Sequence, residues 1–453
     1  KSKILDTVVD LSGAHIPGHG TPTLLFFARN RPPSGETVLL FSNLKGEPGT
    51  PADPAKGRVW QSVLHGFVVG NGYQDEFVDV AARPRDLLGE HPWQFGGPRS
   101  RLYERTAGKC PMSLEDITTS VGSMCYTRAD DIFFCDISFL RRIQPQYPSL
   151  VKPLVTGSVV RDWAIGNEDY ILFPYDGDTL EPVNIENCPR ILAYLQPYKE
   201  LLSNRREIGG TQLEVGLEWF EYNRFLRDRF RMCLVGFPEI ATHNHFAFDQ
   251  GHRIFTQTSP IIILERRDRE THLFLTALLN SNSVCFCLKQ ICFNKGTGDD
   301  PIRDRYVYAG NYVGMVPIPH DYATNTSNQG HLVNLAEGMI SLADQLPALA
   351  ICKLFEQESE AYYAWNSNLD GHVQAPPSLP APFTNARELR AARDKLIALR
   401  EYIRGRMIFL QEEMDWVAYD MYGLLKAKPA LAEDYLSPAA YRAARLRLGQ
   451  RPF

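Results

Sequence analysis

Long apolar runs are what this sequence has least of. The longest stretches, such as Ile261–Leu264, are strand-sized, far short of the roughly 18 to 20 apolar residues a membrane-spanning helix needs. No secretory leader is expected from the opening residues, where Lys1-Ser2-Lys3 runs straight into Ile4-Leu5-Asp6-Thr7-Val8-Val9, a strand-like segment already under way. The lack of an initiator Met raises the expectation of a fragment of something longer. None of the nine cysteines stands in a C-x-x-C pair, and the 11 histidines are scattered. Reduced, buried thiols of a cytoplasmic protein are therefore expected, with no membrane partner and no assigned metal ligands. A phosphate-cradling G-x-x-x-x-G-K-[ST] is missing, as is H-E-x-x-H. The compact glycine pair Gly70-Asn71-Gly72 lacks the strand–turn–helix setting of a cofactor loop.

What is present is ordinary for a globular chain. Of the 453 residues, 44% are hydrophobic and 22% charged, enough for several cores. A net charge of −5 excludes a wholly basic nucleic-acid coat protein, yet leaves room for a local basic groove.

The pattern along the chain predicts a mixed α/β (α+β) protein. Strand-like runs alternate with turns over residues 1–42, and 43–57 reads as a loop. A mixed connecting or insert region follows to 130. The block 131–330 is the richest in strands, with Ile171-Leu172-Phe173 and Ile261–Leu264 as β runs. It also holds helical patterns over 190–202 and 273–291, the second interrupted at Asn280-Ser281-Asn282. The region 331–453 turns helical around a Pro-rich linker at 375–383. Its clearest signal is a seven-residue repeat, Leu389, Leu396, Ile403, Leu410, Val417 and Leu424, with Asn385 and Glu388 as a capping start. Arg406 and Glu413 break the second seam. Packing against the chain's own helices is favoured over a dimeric coiled coil.

Several strings resemble a known family. Asp10-Leu11-Ser12-Gly13-Ala14-His15-Ile16-Pro17-Gly18-His19-Gly20-Thr21-Pro22-Thr23 followed by Leu24–Arg31 is similar to a stretch in adenine-specific DNA methyltransferases of the PglX type from BREX phage-defence systems. Related type IIG restriction–methylation enzymes carry it too. Ile171–Asp176, Leu192–Leu202, Trp219–Tyr222, Leu278–Ser281 and Tyr308–Pro319 resemble that family's target-recognition domain, in order and spacing. Leu410–Leu424 resembles its C-terminal helix. The resemblance touches nearly the whole chain and is thinnest over 58–130.

The resemblance implies closing strands of a class I methyltransferase fold in 1–42, a target-recognition domain in 131–330 and a helical tail in 331–453. It implies methyl transfer from S-adenosylmethionine to the adenine amino group, within restriction–modification or phage defence. Double-stranded DNA is the implied partner, with other defence-system proteins as further candidates. Such an enzyme needs a polar-Pro-Pro-aromatic segment to hold the flipped base. The Pro-Pro pairs here, Pro32-Pro33 and Pro376-Pro377, are each followed by serine. No catalytic residue is therefore assigned, and S-adenosylmethionine is expected in the parent enzyme rather than on this chain alone.

Candidate DNA contacts follow from side-chain chemistry, since Arg forks onto guanine edges and Lys meets phosphate. Arg205 and Arg206, with Trp219 and Tyr222 nearby, form one basic–aromatic cluster, extended by Arg224, Arg227, Arg229 and Arg231. Lys295-Gly296-Thr297-Gly298, leading to Arg303 and Arg305, forms a second, with Asp299 and Asp300 inside it. His15 and His19 lie in the Gly/Pro-rich loop and are candidates for a phosphate or base contact. Their alternative is a structural turn, and for Arg224–Arg231 it is a solvated helix face. Two rival readings stay open: a separate specificity subunit that docks onto a catalytic partner through its C-terminal helix, and an unrelated cytoplasmic enzyme.

Overall fold

A computed structural model describes residues 4–18, 23–30, 35–89, 93, 97–166, 169–207, 209–230, 232–295, 303–320, 326–350 and 385–425. Its first unit is a mixed four-stranded sheet. Strands β1 (Leu5–Asp10), β2 (Leu24–Ala28), β3 (Thr37–Asn43) and β4 (Val78–Pro84) lie in the order β2-β1-β3-β4. β1 runs antiparallel to β2 and parallel to β3, while β4 pairs antiparallel with the whole of β3, from Thr37↔Pro84 to Asn43↔Val78. Period-two alternation puts Val9, Phe41, Val78 and Val80 on one face, where helix α1 (Arg58–Val69) covers them with Val59 and Val63. Val8, Val38 and Leu40 fill the opposite face with Leu5 and Leu88. Gly66 lets the helix sit this close: a Cβ there would stand 2.8 Å from the Phe41 ring and 2.9 Å from Val80.

The boundary expected at residue 42 therefore cuts through a sheet. β4 and α1, read as connecting sequence, belong to the same unit, because β3 completes its hydrogen bonding only with β4.

The second unit holds two four-stranded sheets. In one, Ala247–Asp249, Leu234–Gly236, Ile261–Leu264 and Thr118–Gly122 are neighbours in that order. Ile254–Phe255, Val151–Val155, Tyr170–Leu172 and Phe134–Cys135 make the other. Ile261–Leu264 is apolar throughout because it is buried on both faces. Ile262 and Leu264 enter one core, and Ile261 and Ile263 enter the other. Thr118–Gly122 pairs with it, so this unit reaches back before the expected start at 131.

The interrupted helical pattern resolves into α2 (Arg269–Leu279) and α3 (Asn282–Ile291). Each has its own cap: Asp268 accepts from the Thr271 amide, and Ser281 accepts from the Val284 amide. Two further helices, α4 (Thr326–Ala343) and α5 (Ala386–Met421), join them. Asn385 caps α5 by accepting from the amides of Arg387 and Glu388. Ile403, Leu410 and Val417 of the seven-residue repeat are buried in a core shared with Leu332, Leu335 and Met339 of α4. The polar interruptions Arg406 and Glu413 are buried there too, at 6% and 0% exposure. The repeat is thus spent inside the chain over its second half. A core that also takes in α2 and α3 ignores the expected boundary at 330. Among the described residues no single helix is long and apolar enough to cross a membrane.

Candidate nucleic-acid interface

Arg205, first of the expected DNA contacts, is a core residue. Its guanidinium donates to the carbonyls of Leu202, Thr127, Trp219 (3.1 Å) and Glu221 (2.7 Å), and stacks 5.4 Å over the Phe133 ring. Burial pushes its pKa down to about 10, with Tyr175 and Glu221 opposing the shift. With its donors committed to main-chain oxygens, Arg205 closes the loop 205–221 against residues 127–133 instead of facing a groove. Trp219 and Tyr222 are buried as well. The Tyr222 hydroxyl donates to Leu172 O at 2.8 Å, its amide donates to the Tyr175 hydroxyl, and its ring packs edge-on against Phe133. Neither ring is placed to stack on a base. Lys199 covers Trp219 from outside, at 5.4 Å from the ring.

The remaining arginines of that cluster divide. Arg206 and Arg224 are exposed on short strands. Arg227 is held by Glu181 at 2.6 Å and by buried Glu221 at 3.4 Å, which cancels its charge locally. Arg229 donates to Ser123 O. The expected helix face is instead a strand followed by a short 3₁₀ turn. Arg231 lies outside the described residues.

Of the second cluster, read from the sequence as a flexible basic loop, the structure describes Lys295, Arg303 and Arg305 and the segments that flank it. Phe293–Asn294 and Tyr306–Val307 pair antiparallel, and the Lys295 amide donates to Arg305 O at 2.7 Å, so these two cations flank the base of a hairpin. Arg303 stands beside them, and all three are exposed. Asn294 donates to Asp304 at 3.0 Å across the same base, and Lys289 of α3 lies 5.6 Å over the Tyr306 ring. Thr297, Asp299 and Asp300 lie outside the described residues. A third strand, Ile240–Ala241, anchors the hairpin to the body by pairing with Tyr306–Val307.

His15 is half-buried in the loop after β1, beside a shallow groove of about 230 Å³ lined by Leu11, Ile16, Pro54 and Trp60. His19 lies outside the described residues. The sequence carried no signal for the larger cleft of about 480 Å³ between residues 125–131 and 256–257. Arg128, Asp130, Asp131 and Gln257 line it, and Arg128 adopts a left-handed backbone with φ 53°. Its walls are some 130 residues apart along the chain, so no local motif marks it. The cysteines among the described residues are free thiols, and burial pushes Cys287 and Cys292 up to about 12.

The glycine turn does not fit a cofactor loop. Gly70 and Gly72 take φ of 82° and 92° after a helix, and the turn serves its own sheet. Asn71 accepts from the Ala82 amide, and the Gly72 amide donates to Val80 O. No methyl-transfer step is therefore assigned to these residues.

No family model matches the chain. Over 99% of its length it is 30% identical to "Adenine-specific methyltransferase PglX" of Streptomyces coelicolor, and it spans 35% of that protein. Among solved structures it resembles the type IIL restriction-modification enzyme MmeI in complex with DNA, with TM-score 0.41 and 11% identity, covering 98% of this chain and 46% of that one. It also resembles the type IIG restriction endonuclease BpuSI, with TM-score 0.37 and 10% identity, covering 89% and 44%. The resemblance read from the sequence strings is borne out as a similarity: along nearly its whole length the chain is similar to an adenine-specific methyltransferase PglX, and it spans about a third of that protein.

Proposed function

We propose that this chain is the DNA-recognition part of an adenine-specific DNA methyltransferase serving restriction–modification or phage defence. The identity to PglX over 99% of the chain carries this reading. In it, the hairpin bearing Lys295, Arg303 and Arg305 approaches the duplex: three exposed cations on a braced two-stranded ribbon suit a major groove flanked by phosphates. Arg206 and Arg224 add phosphate contacts. S-adenosylmethionine and the methyl-transfer step belong to a catalytic part outside these residues. The N-terminal sheet supports that division. Its edge strand β2 exposes Phe26 and Phe27 at 53% and 46%, with Phe27 edge-on to Phe67 of α1 at 5.6 Å and Phe26 edge-on to Trp93 at 5.9 Å. An apolar edge of this kind suits a sheet that continues in another part of the enzyme.

Binding to a random duplex library at several salt concentrations tests recognition. Selection of one sequence is expected; salt-sensitive binding with no enriched sequence would remove the base-reading claim. Labelled S-adenosylmethionine with the isolated chain tests the division, and methyl transfer to DNA by the chain alone would overturn it. The second reading, a separate specificity subunit docking through its C-terminal helix, draws on the first half of α5. There Ile397, Leu399, Tyr402 and, just beyond, Ile408 are exposed. Substitution of Ile397 and Leu399 by Ser would abolish subunit association under that reading and leave it intact under the first.

A further inference from the structure

Asp162, His243 and His245 come from two distant segments, yet their ligand atoms all lie within 4.8 Å of one another. We infer that they form a binding site for a divalent transition-metal ion of the zinc class. The site is independent of the DNA-recognition reading.

The backbone of both segments that carry the ligands is fixed by the packing around it. Val160–Arg161 and Ala164–Ile165 pair directly, which leaves Asp162 and Trp163 as a two-residue turn. Both take left-handed backbones, φ 47° and 75°, and for a tryptophan this conformation is strained. Trp163 is anchored by burial in the core, and the turn it locks presents Asp162 to His245. The Asp162 amide donates to His245 Nδ1 at 3.3 Å, a hydrogen bond that an ion at this nitrogen would replace, and the carboxylate stands 3.5 Å from the same nitrogen.

The histidine loop is clamped as firmly. Asn244 donates to the carbonyls of Leu279 (2.6 Å) and Ser281 (3.3 Å), at the break between α2 and α3. Asn280 accepts from the Phe246 amide and donates to Phe246 O. With Asn244 turned to the helices, His243 and His245 fall on the other side, their rings 4.1 Å apart.

The chemistry of the set selects the ion. Two imidazoles and one carboxylate suit zinc, cobalt or nickel rather than magnesium or calcium, which want oxygen donors. Arg161 and Lys289 are the nearby cations. They disfavour an ion held by charge alone, and Arg161 is itself turned onto the carbonyls of Gly157 and Val160. Bonds of about 2.0–2.2 Å require the three ligands to close in slightly. Asp162 and His243 are exposed and have the rotamer freedom to do so, leaving water for the outer position.

Cobalt and zinc titrations of the untagged full chain test this. One saturable Co²⁺ per chain is expected, with visible d–d bands and no thiolate charge-transfer band, displaced by Zn²⁺. Asp162→Asn, which tolerates the turn conformation, and His243→Ala are surface changes and should fold. Each is expected to weaken binding by about tenfold or more. Zn²⁺ is also expected to raise the melting temperature of the unsubstituted chain but not of the variants. Absence of saturable binding would overturn the site, as would unchanged affinity in both variants. So would a thiolate band, which would move the ion to cysteine, with Cys285, hydrogen-bonded to the Asn244 backbone, as a candidate source.

Discussion

Asn282 gives both its backbone amide and its side-chain amide to one carboxylate, that of Asp415: the amide reaches Oδ1 at 2.8 Å and Nδ2 reaches Oδ2 at 2.5 Å. The pair joins the first turn of α3 to the C-terminal part of α5, 133 residues further along. Asp415 is 1% exposed, and it places a negative charge at the start of a helix, where the free amides and the helix dipole favour one. Asp415→Ala is expected to lower stability by about 2–3 kcal/mol, read as a shifted urea midpoint. Asp415→Asn, which keeps one acceptor, is expected to cost less. Equal midpoints for Ala and the native residue would show that the clamp contributes nothing.

Arg205 is expected to matter for folding, not for DNA affinity. Removing it takes a donor from the carbonyls of Thr127, Trp219 and Glu221, of which Glu221 O keeps the Gln212 side-chain amide at 3.2 Å, so Arg205→Ala should destabilise by roughly 3 kcal/mol. Arg205→Lys cannot reproduce the fork and should recover only part of that. A variant that stays folded yet loses DNA binding would return Arg205 to the interface.

The hairpin cations make the opposite expectation. Arg303→Ala with Arg305→Ala is expected to change stability by no more than about 0.5 kcal/mol, because both side chains are exposed. DNA affinity is expected to fall, and the slope of log K against log salt to drop by about 0.9 for each phosphate contact removed. An unaltered slope would place the hairpin away from the duplex.

His272 is expected to give a pH-dependent loss of stability. It is fully buried in α2, with Nδ1 2.8 Å from Asp268 O, and burial lowers its pKa below the ordinary 6.5. The unfolded chain therefore takes up the proton first as pH falls. Its stabilising contribution is complete above 6.5 and is lost progressively below it. His272→Asn keeps a donor near the Nδ1 position and cannot titrate. Denaturation across this range should show a shallower pH dependence for the substituted protein than for the native chain, and identical slopes would exclude the histidine as the source.

Local pattern was enough to locate the longer and more regular elements. Alternation placed β1, β2, β3 and Ile261–Leu264, and the seven-residue repeat with Asn385 located α5 to within a residue or two. These signals are legible because period and cap act over a few residues of chain. Family strings likewise pointed to the PglX relationship. Partnership across the chain was not legible. Whether β3 ends a unit or pairs onward with β4 depends on a strand 35 residues away, and whether Arg205 meets DNA or four carbonyls depends on which loop folds over it. An arginine beside a tryptophan reads the same in either setting, since composition records the donor but not the acceptor. The cations Lys295, Arg303 and Arg305 were legible as a basic segment, but the antiparallel pairing of Phe293–Asn294 with Tyr306–Val307 that flanks them was not. The cleft at 125–131 and the Asp162–His243–His245 group were not, because tertiary packing alone brings their parts together. What determined the helices and strands was the order of residues; what decided which side chains face solvent, and which remain available for a ligand, was burial.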